Sequence, residues 1–325
     1  MATSGVIETR PFVTRKIIDQ AYARCGVYKA KITPDMIETA MAELSTFLLS
    51  MANRNIPSWC MERLVLPLYE GQAEIELPIG TINALNVNYR ILQPAAQETI
   101  TTPASTYTYT ASNVTTVGVL WDDTSIAVTL QASADNVEWV TVGSIAAGEY
   151  EAGEWSWIDV NTLVAYEYFR LTAGAAIEAV EVYLGTLPQE IPLGMLNRDQ
   201  YVDQTNKSFA SQPTNYYPQK NYPLLMLNLW PTPYAAATYC QLVVWRHRNI
   251  MAVGTLRQDL ELPLVWYEAI QAVLAAKCAL ATPEVPLERI ALLDVKAEKA
   301  LNDAWDGDGD GTPSLIQVDI SPYTR

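Results

Sequence analysis

Residues 224–248 read LLMLNLWPTPYAAATYCQLVVWRHR, and this stretch constrains the fold more than any other. Leu225, Leu227 and Leu229 alternate with Met226, Asn228 and Trp230. A period of two puts every second side chain on one face of a strand. Pro231-Thr232-Pro233 ends the run, because proline lacks the N–H a ladder needs. A second strand-like run follows from Tyr239 to Trp245. The spacing predicts an antiparallel hairpin turning at the two prolines. Helical periodicity flanks it on both sides, so the sheet is expected as a platform between helices.

The first helix is expected from Thr14 to about Cys25, with Ile17, Ile18, Ala21, Tyr22 and Cys25 on one face and Gly26 as its C-terminal cap. The second has Thr33 as N-cap, Pro34 at the first helical position and Asp35 at the positive end of the helix dipole. Ile37, Met41, Leu44, Leu48 and Met51 recur at spacings of four and three, a seam that needs a partner helix. Residues 63–69 and 73–78 predict a hairpin turning at Glu70-Gly71, and residues 84–92 a further strand.

Composition then shifts. Residues 101–186 hold eleven acidic residues against Arg170 alone, so they carry ten of the fifteen net negative charges. They also hold Trp121, Trp139, Trp155 and Trp157, and no proline after Pro103. Short β-rich runs at 117–121, 126–132, 139–142, 155–159, 168–172 and 179–184 are punctuated by Gly, Asn and Asp, the pattern of an all-β sandwich. Helical pattern returns at 199–209. Residues 212–222, rich in Tyr and Pro, read as a loop. A helix is expected from Leu262-Pro263 to Ala281, burying Val265, Trp266, Ile270, Val273 and Leu274. Another runs over 287–305, with Ile290, Leu293, Val295 and Leu301 near one side. The remainder, from Asp306, reads as an extended tail.

The expected fold class is therefore α+β: a helical core with a small antiparallel sheet (1–100 and 187–305), an inserted jelly-roll-like sandwich (101–186) and a C-terminal arm (306–325). The net charge of −15 argues against tight wrapping of a phosphate backbone, which needs clustered Lys and Arg. Cys25, Cys60, Cys240 and Cys278 are widely spaced, with no CxxC and one histidine, so free thiols are expected and a zinc site is not. The first residues show no basic segment followed by an apolar one, so no secretory signal is expected. No run approaches the ~18 uninterrupted apolar residues of a membrane span.

Few motifs offer chemistry. Asp306, Asp308 and Asp310 fit the first half of a calcium loop, but the twelfth position is Gln317 where that loop needs a bidentate Glu. His247 lies between two arginines with no serine or cysteine nucleophile motif to serve. Asp122-Asp123 reads as a solvated turn, because a glycosidase pair must come from separate elements. The tryptophans of 101–186 suit a sandwich core, or stacking on sugars. No catalytic residue and no cofactor is expected.

Two resemblances carry the functional expectation. The runs VTLQASADNVEW (128–139) and YEYFRLT (166–172) resemble discoidin-like, galactose-binding-like sandwich modules. Outside that segment, PTNYY (213–217), LWPTP (229–233) and the LPLVW helix (262–276) resemble the head-to-tail adaptor proteins of short-tailed bacteriophages, also called head-completion or packaged-DNA-stabilisation proteins. That resemblance covers 1–95 and 187–325. It implies structural roles for Pro213, Tyr216, Tyr217, Leu229, Trp230, Pro231, Pro233 and Trp266. It also implies a homo-oligomeric ring, usually of twelve copies, in the virion neck and assembled in the host cytoplasm. The partners implied are the portal protein and tail nozzle, needle or fibre proteins, with DNA passing through the lumen unbound and no membrane. Leu315, Ile316, Val318, Ile320 and Tyr323, apolar in a stretch without helix signal, are the expected docking arm. The rivals are a glycan-binding virion or surface protein acting through the sandwich, and a cell-wall hydrolase.

Overall fold

The computed structural model describes residues 12–51, 57–123, 125–160, 164–251 and 254–308. The chain forms two compact units, residues 1–62 with 247–325 and residues 63–246. Residues 63–100 and 187–246 therefore group with the strands of 101–186, whereas the expected division placed them with the helices.

The helical unit begins with a short strand β1 (Phe12–Val13) and helix α1 (Thr14–Cys25). Thr14 is not the N-cap; its hydroxyl donates to the Gln258 carbonyl at 2.7 Å. Gly26 closes α1 at φ +88°, a left-handed conformation that glycine adopts without strain. Helix α2 (Pro34–Met51) starts as expected, the Met36 N–H donating to the Thr33 hydroxyl at 3.3 Å. Leu44, Leu48 and Met51 are buried, whereas Ile37 and Met41 are only half-buried and Ala40 and Phe47 take core positions.

Within the other unit, β2 (Met61–Pro67), β3 (Glu74–Glu76) and β4 (Thr81–Thr99) lead into the sandwich strands. These are β5 (Ala104–Thr110), β6 (Val114–Trp121), β7 (Val128–Ser133), β8 (Val140–Ile145), β9 (Trp155–Asp159) and β10 (Tyr168–Ile177). Then come β11 (Ala179–Pro192), β12 (Gly194–Met195), the short helix α3 (Arg198–Val202), β13 (Asn215–Lys220), β14 (Leu225–Trp230) and β15 (Cys240–Arg248). The chain returns to the helical unit with β16 (Asp259–Leu260), which pairs with β1, and helices α4 (Tyr267–Ala281) and α5 (Leu287–Gly307).

Three sheets build the strand-rich unit, in the orders β5-β10-β7-β8, β2-β15-β4-β11-β6-β9 and β12-β13-β14-β3. The six-stranded sheet is shared. At its β6 end Val117, Val119, Trp121, Val182 and Leu184 bury against Leu130, Ala132, Phe169 and Leu171 of the first sheet. At its β15 end Val87, Tyr89, Leu242 and Val244 bury against Tyr216, Leu225, Leu227 and Leu229 of the third. Strands β4 and β11 run antiparallel through both regions, from Glu181↔Thr99 to Pro192↔Asn88. Of the two boundaries expected for the sandwich, 186 thus falls within this ladder, whereas 101 lies just beyond the end of β4. Register shifts at Leu184/Gly185 and Thr186/Gln189, with Leu187 at φ +46°, mark bulges in that ladder.

Four expectations require correction. The runs 225–230 and 239–245 do not form a hairpin: β14 pairs with β13 and β3, whereas β15 joins the six-stranded sheet. The connection of 231–239 contains a 3-10 turn over Ala235–Tyr239 and carries the chain from one sheet to another. The hairpin is instead β13–β14, from Asn215↔Trp230 to Lys220↔Leu225. Pro218 hid the first of these strands, although proline is tolerated where a strand borders a sheet edge. Residues 63–69 and 73–78 likewise separate into β2 and β3 of different sheets. The helix expected at 199–209 stops at Val202. Val265 and Val295 are exposed at 51% and 67%.

Helix α4 is buried on most sides. Residues 264–281 reach the length and apolarity of a membrane-crossing segment, but more than half of them are buried within the unit, as in a core helix. At its start Trp266 is fully buried and meets Trp59 at 5.1 Å and Trp305 at 4.7 Å, both edge to face. Aromatic pairs in this geometry contribute beyond their buried area. Trp266→Ala should cost about 3–5 kcal/mol, read as a lower denaturant midpoint for the helical signal with an unchanged m-value.

Candidate functional site

The arrangement with most chemical potential lies in the strand-rich unit, where two pairs of rings form a box. Trp155 and Trp157, two apart on β9 and so on one face, stack at 5.2 Å and 15°. Tyr183 of β11 and Tyr239 stack at 4.9 Å and 17°. The pairs meet edge to face, Trp155 on Tyr239 at 6.1 Å and Trp157 on Tyr183 at 5.9 Å. Trp157 can lie across its neighbour strand because Gly118 stands opposite it; a Cβ there would sit 2.5 Å from the indole. Tyr69 tethers the box by accepting from the Trp155 N–H at 3.0 Å, and the Tyr183 hydroxyl donates to the Leu92 carbonyl at 3.0 Å.

Against the tyrosine side of this box opens a cavity of about 260 Å³, lined by Tyr89, Ile91, Leu92, Pro94, Gln97, Tyr183, Gln212, Tyr234, Ala236, Tyr239 and Cys240. The Gln97 amide donates to Glu181 at 2.7 Å and to the Tyr239 hydroxyl at 3.0 Å. Burial pushes the hydroxyls of Tyr89, Tyr183 and Tyr239 and the Cys240 thiol upward, so all four stay neutral near pH 7. Among the described residues, no Lys, Arg, Asp or Glu lines the walls.

Two other cavities are less equipped. One of about 420 Å³, beside Val114, Val160, Phe169 and Leu187, is lined mainly by apolar groups. One of about 350 Å³ in the helical unit holds Arg24, Arg289 and Lys296, but Arg24 is engaged bidentately by Glu268 at 2.8 and 2.7 Å. Hydrogen bonding from Arg24 in turn holds the Glu268 carboxyl below its usual range.

The residues singled out by the adaptor resemblance are framework. Pro213, Tyr216, Leu229, Pro231, Pro233 and Trp266 are buried, and Tyr217 and Trp230 are half-buried. Tyr217 stacks on Tyr201 at 5.2 Å, and the Trp230 indole donates to the Asn206 carbonyl at 3.1 Å. Leu315, Ile316, Val318, Ile320 and Tyr323 lie outside the described residues, as does Asp310. Asp306 and Asp308 close α5, and no cluster of three or more His, Cys, Asp or Glu able to hold a metal occurs among the described residues. Asp123 binds the N–H and hydroxyl of Ser125 at 2.9 and 3.1 Å, the geometry of a turn. Trp121 and Trp155 are core, and Trp139 packs under the Arg170 guanidinium at 4.0 Å. The four cysteines are free and buried; burial pushes the thiols of Cys25 and Cys60 up to about 11 and of Cys278 up to about 12, which removes nucleophilic thiolate.

Tyr89, Gln97, Tyr183, Gln212, Tyr234 and Tyr239 did not stand out as a set in the sequence. Tyr183 and Tyr239 each belonged to a strand-like run, but only the strand order brings them together.

The chain matches no family model and no curated protein. Its similarities to solved structures are weak. The C-terminal domain of a chitobiase from Bacteroides fragilis aligns at 13% identity and TM-score 0.20, over 26% of this chain and 58% of that one. A family 32 carbohydrate-binding module from a family 31 glycoside hydrolase of Clostridium perfringens aligns at 16% and 0.19, over 41% of this chain and 98% of that one. Another such module from that organism, solved with GalNAc-β-1,3-galactose, aligns at 14% and 0.20, over 41% and 99%. Two of these three are carbohydrate-binding modules of family 32.

His247 has one clear consequence. It is 3% exposed, its Nε2 has no hydrogen-bond partner, and burial lowers its pKa from the ordinary value. Below pH ~6.5 the unfolded chain takes up a proton that the folded chain refuses. The neutral imidazole therefore costs nothing above that pH, and stability falls as pH drops from ~6.5 toward the folded pKa. Between pH 7.5 and 5.5 the wild type should lose more of its melting temperature than His247→Gln, measured calorimetrically side by side.

Proposed function

We propose that this chain is a structural assembly protein, a ring-forming adaptor of the kind that joins a short-tailed phage portal to its tail, working by binding and not by catalysis. The observation that carries the reading is the outer face of α5. Leu287, Leu292 and Val295 are exposed at 83%, 53% and 67%, and Ala291 is exposed among them. A row of apolar side chains one turn apart is the surface an association would bury, and rings close through such heterologous contacts. Support also comes from the motif residues: the segments shared with the adaptor pattern form the frame of the fold. A net charge of −15 suits a lumen through which DNA slides. In this reading the arm carrying Leu315, Ile316, Val318, Ile320 and Tyr323 fastens the protein to the portal or to a neighbouring copy.

The strand-rich unit supports a second reading, carbohydrate recognition, and the tyrosine-walled cavity is the observation that favours it. A glycoside hydrolase needs two carboxylates across a cleft, and none of the three cavities described above is lined by two.

Native mass spectrometry and electron microscopy of the full chain, alone and mixed with its portal protein, test the first reading. The wild type should form closed rings. Leu292→Glu with Val295→Glu should stay monomeric with an unchanged melting temperature, since both side chains already face solvent. A wild type that remains monomeric with portal present, or a double variant that still closes rings, overturns the reading.

A further inference from the structure

We infer that the cavity walled by Tyr89, Tyr183, Tyr234 and Tyr239 is a binding site for one neutral sugar ring; the inference rests on the carbohydrate reading and names its place and ligand class. Tyr234, 40% exposed, and the half-buried Tyr239 offer flat apolar surface with a polar edge, which matches a pyranose with its C–H face and hydroxyl rim, while the buried Tyr89 and Tyr183 close the cavity behind them. The volume, about 260 Å³, lies just below the usual range for drug-sized ligands, so a single ring is the fitting size.

The polar groups around it are uncommitted in the right way. Both hydrogens of the Gln97 amide nitrogen are taken by Glu181 and Tyr239, which leaves its carbonyl oxygen as a spare acceptor. The side-chain amide of Gln212 and the hydroxyl of Tyr234 make no hydrogen bond among the described residues. An amide offers a donor and an acceptor side by side, and a hydroxyl offers both on one atom, which is what vicinal sugar hydroxyls require. With no cationic side chain in the walls, a phosphate, sulfate or uronate would find no counter-charge. With no anionic one, an amino sugar would need its nitrogen acylated. Neutral hexoses and N-acetylhexosamines remain.

The site is also preformed. Tyr183 and Tyr239 are held by their mutual stacking and by the two tryptophans behind them, and Tyr89 is 2% exposed. A ligand entering would order only Gln212 and Tyr234, so little binding energy is lost to immobilisation.

The test uses the full chain, saturation-transfer NMR and titration calorimetry, with free neutral hexoses and N-acetylhexosamines and their disaccharides as probes. Gln212→Ala and Tyr234→Ala, both checked for an unchanged melting temperature, should each weaken binding by about tenfold. Trp139→Ala, distant in chemistry from the cavity, should bind like the wild type. If the wild type binds a sugar and neither cavity variant weakens it, the site assignment is overturned while the carbohydrate reading stands. If the wild type binds none of the probes, both fall.

Discussion

The antiparallel pairing of β4 with β11 is the constraint on which the strand-rich unit depends. These two strands are long enough to pass through two cores, so one ladder contributes to both the sandwich core and the core under β13–β14. Strands of this length are unusual, since most run to five or six residues. Near one end of the ladder lies a polar cluster centred on the buried Arg90 and Gln241. Arg90, 5% exposed, donates to Glu190 at 3.1 and 2.7 Å and to Gln241 at 3.1 Å, and Glu190 also accepts from Arg63 and Asn88. A buried guanidinium is tolerated only when its charge and hydrogen bonds are met, and removing one partner leaves the other uncompensated. Its hydrogen bonds link all four strands β2, β15, β4 and β11.

The aromatic box and its cavity are consequences of that ladder. Tyr183 stands opposite Gln97 in the β4–β11 register, and it is this pairing that brings the Gln97 amide to Tyr239. A one-residue slip would turn Tyr183 to the opposite face and dissolve the wall. The bulges at Gly185 and Leu187 bend the ladder just beyond this point, and bulges are a common means of re-aiming side chains beside a site. The groups lining the cavity are neutral and stand mostly on strands.

The helical unit is organised differently. Its core centres on α4, which buries Ala269, Ile270, Leu274, Ala275 and Cys278 with α1, α2 and α5 around it. Small residues along α4 let neighbouring helices approach closely, and Trp266 fills the space at its start. What α5 turns outward is as informative as what it buries. Leu293, Ala297 and Ala304 face the core, while Leu292 and Val295 face solvent. That second apolar row is left exposed among the described residues.

Much of the local structure was legible in the sequence. Thr33-Pro34-Asp35 and Gly26 located helix ends, because caps and φ preferences act within a few residues. Period-two runs located six sandwich strands, though β5, where Thr106, Thr108 and Thr110 alternate with Tyr107 and Tyr109, was missed because its outward face is as polar as a loop. The pairing of strands was not legible. The runs either side of Pro231 look like hairpin partners, yet they lie in different sheets, because proximity in sequence sets only the cost of closing a loop. Which strands meet is decided by burial of long-range apolar faces, and that depends on the whole fold. The tyrosine cavity follows the same logic: Tyr89, Tyr183 and Tyr239 are separated by up to 150 positions, and no spacing rule connects them. By itself the sequence determined where most of the helices and sandwich strands lie, that the chain is acidic, and that its thiols are scattered. Only the tertiary structure decided which strands share a sheet and which polar groups stay unpaired beside the rings, because those are settled by contacts between residues far apart in the chain.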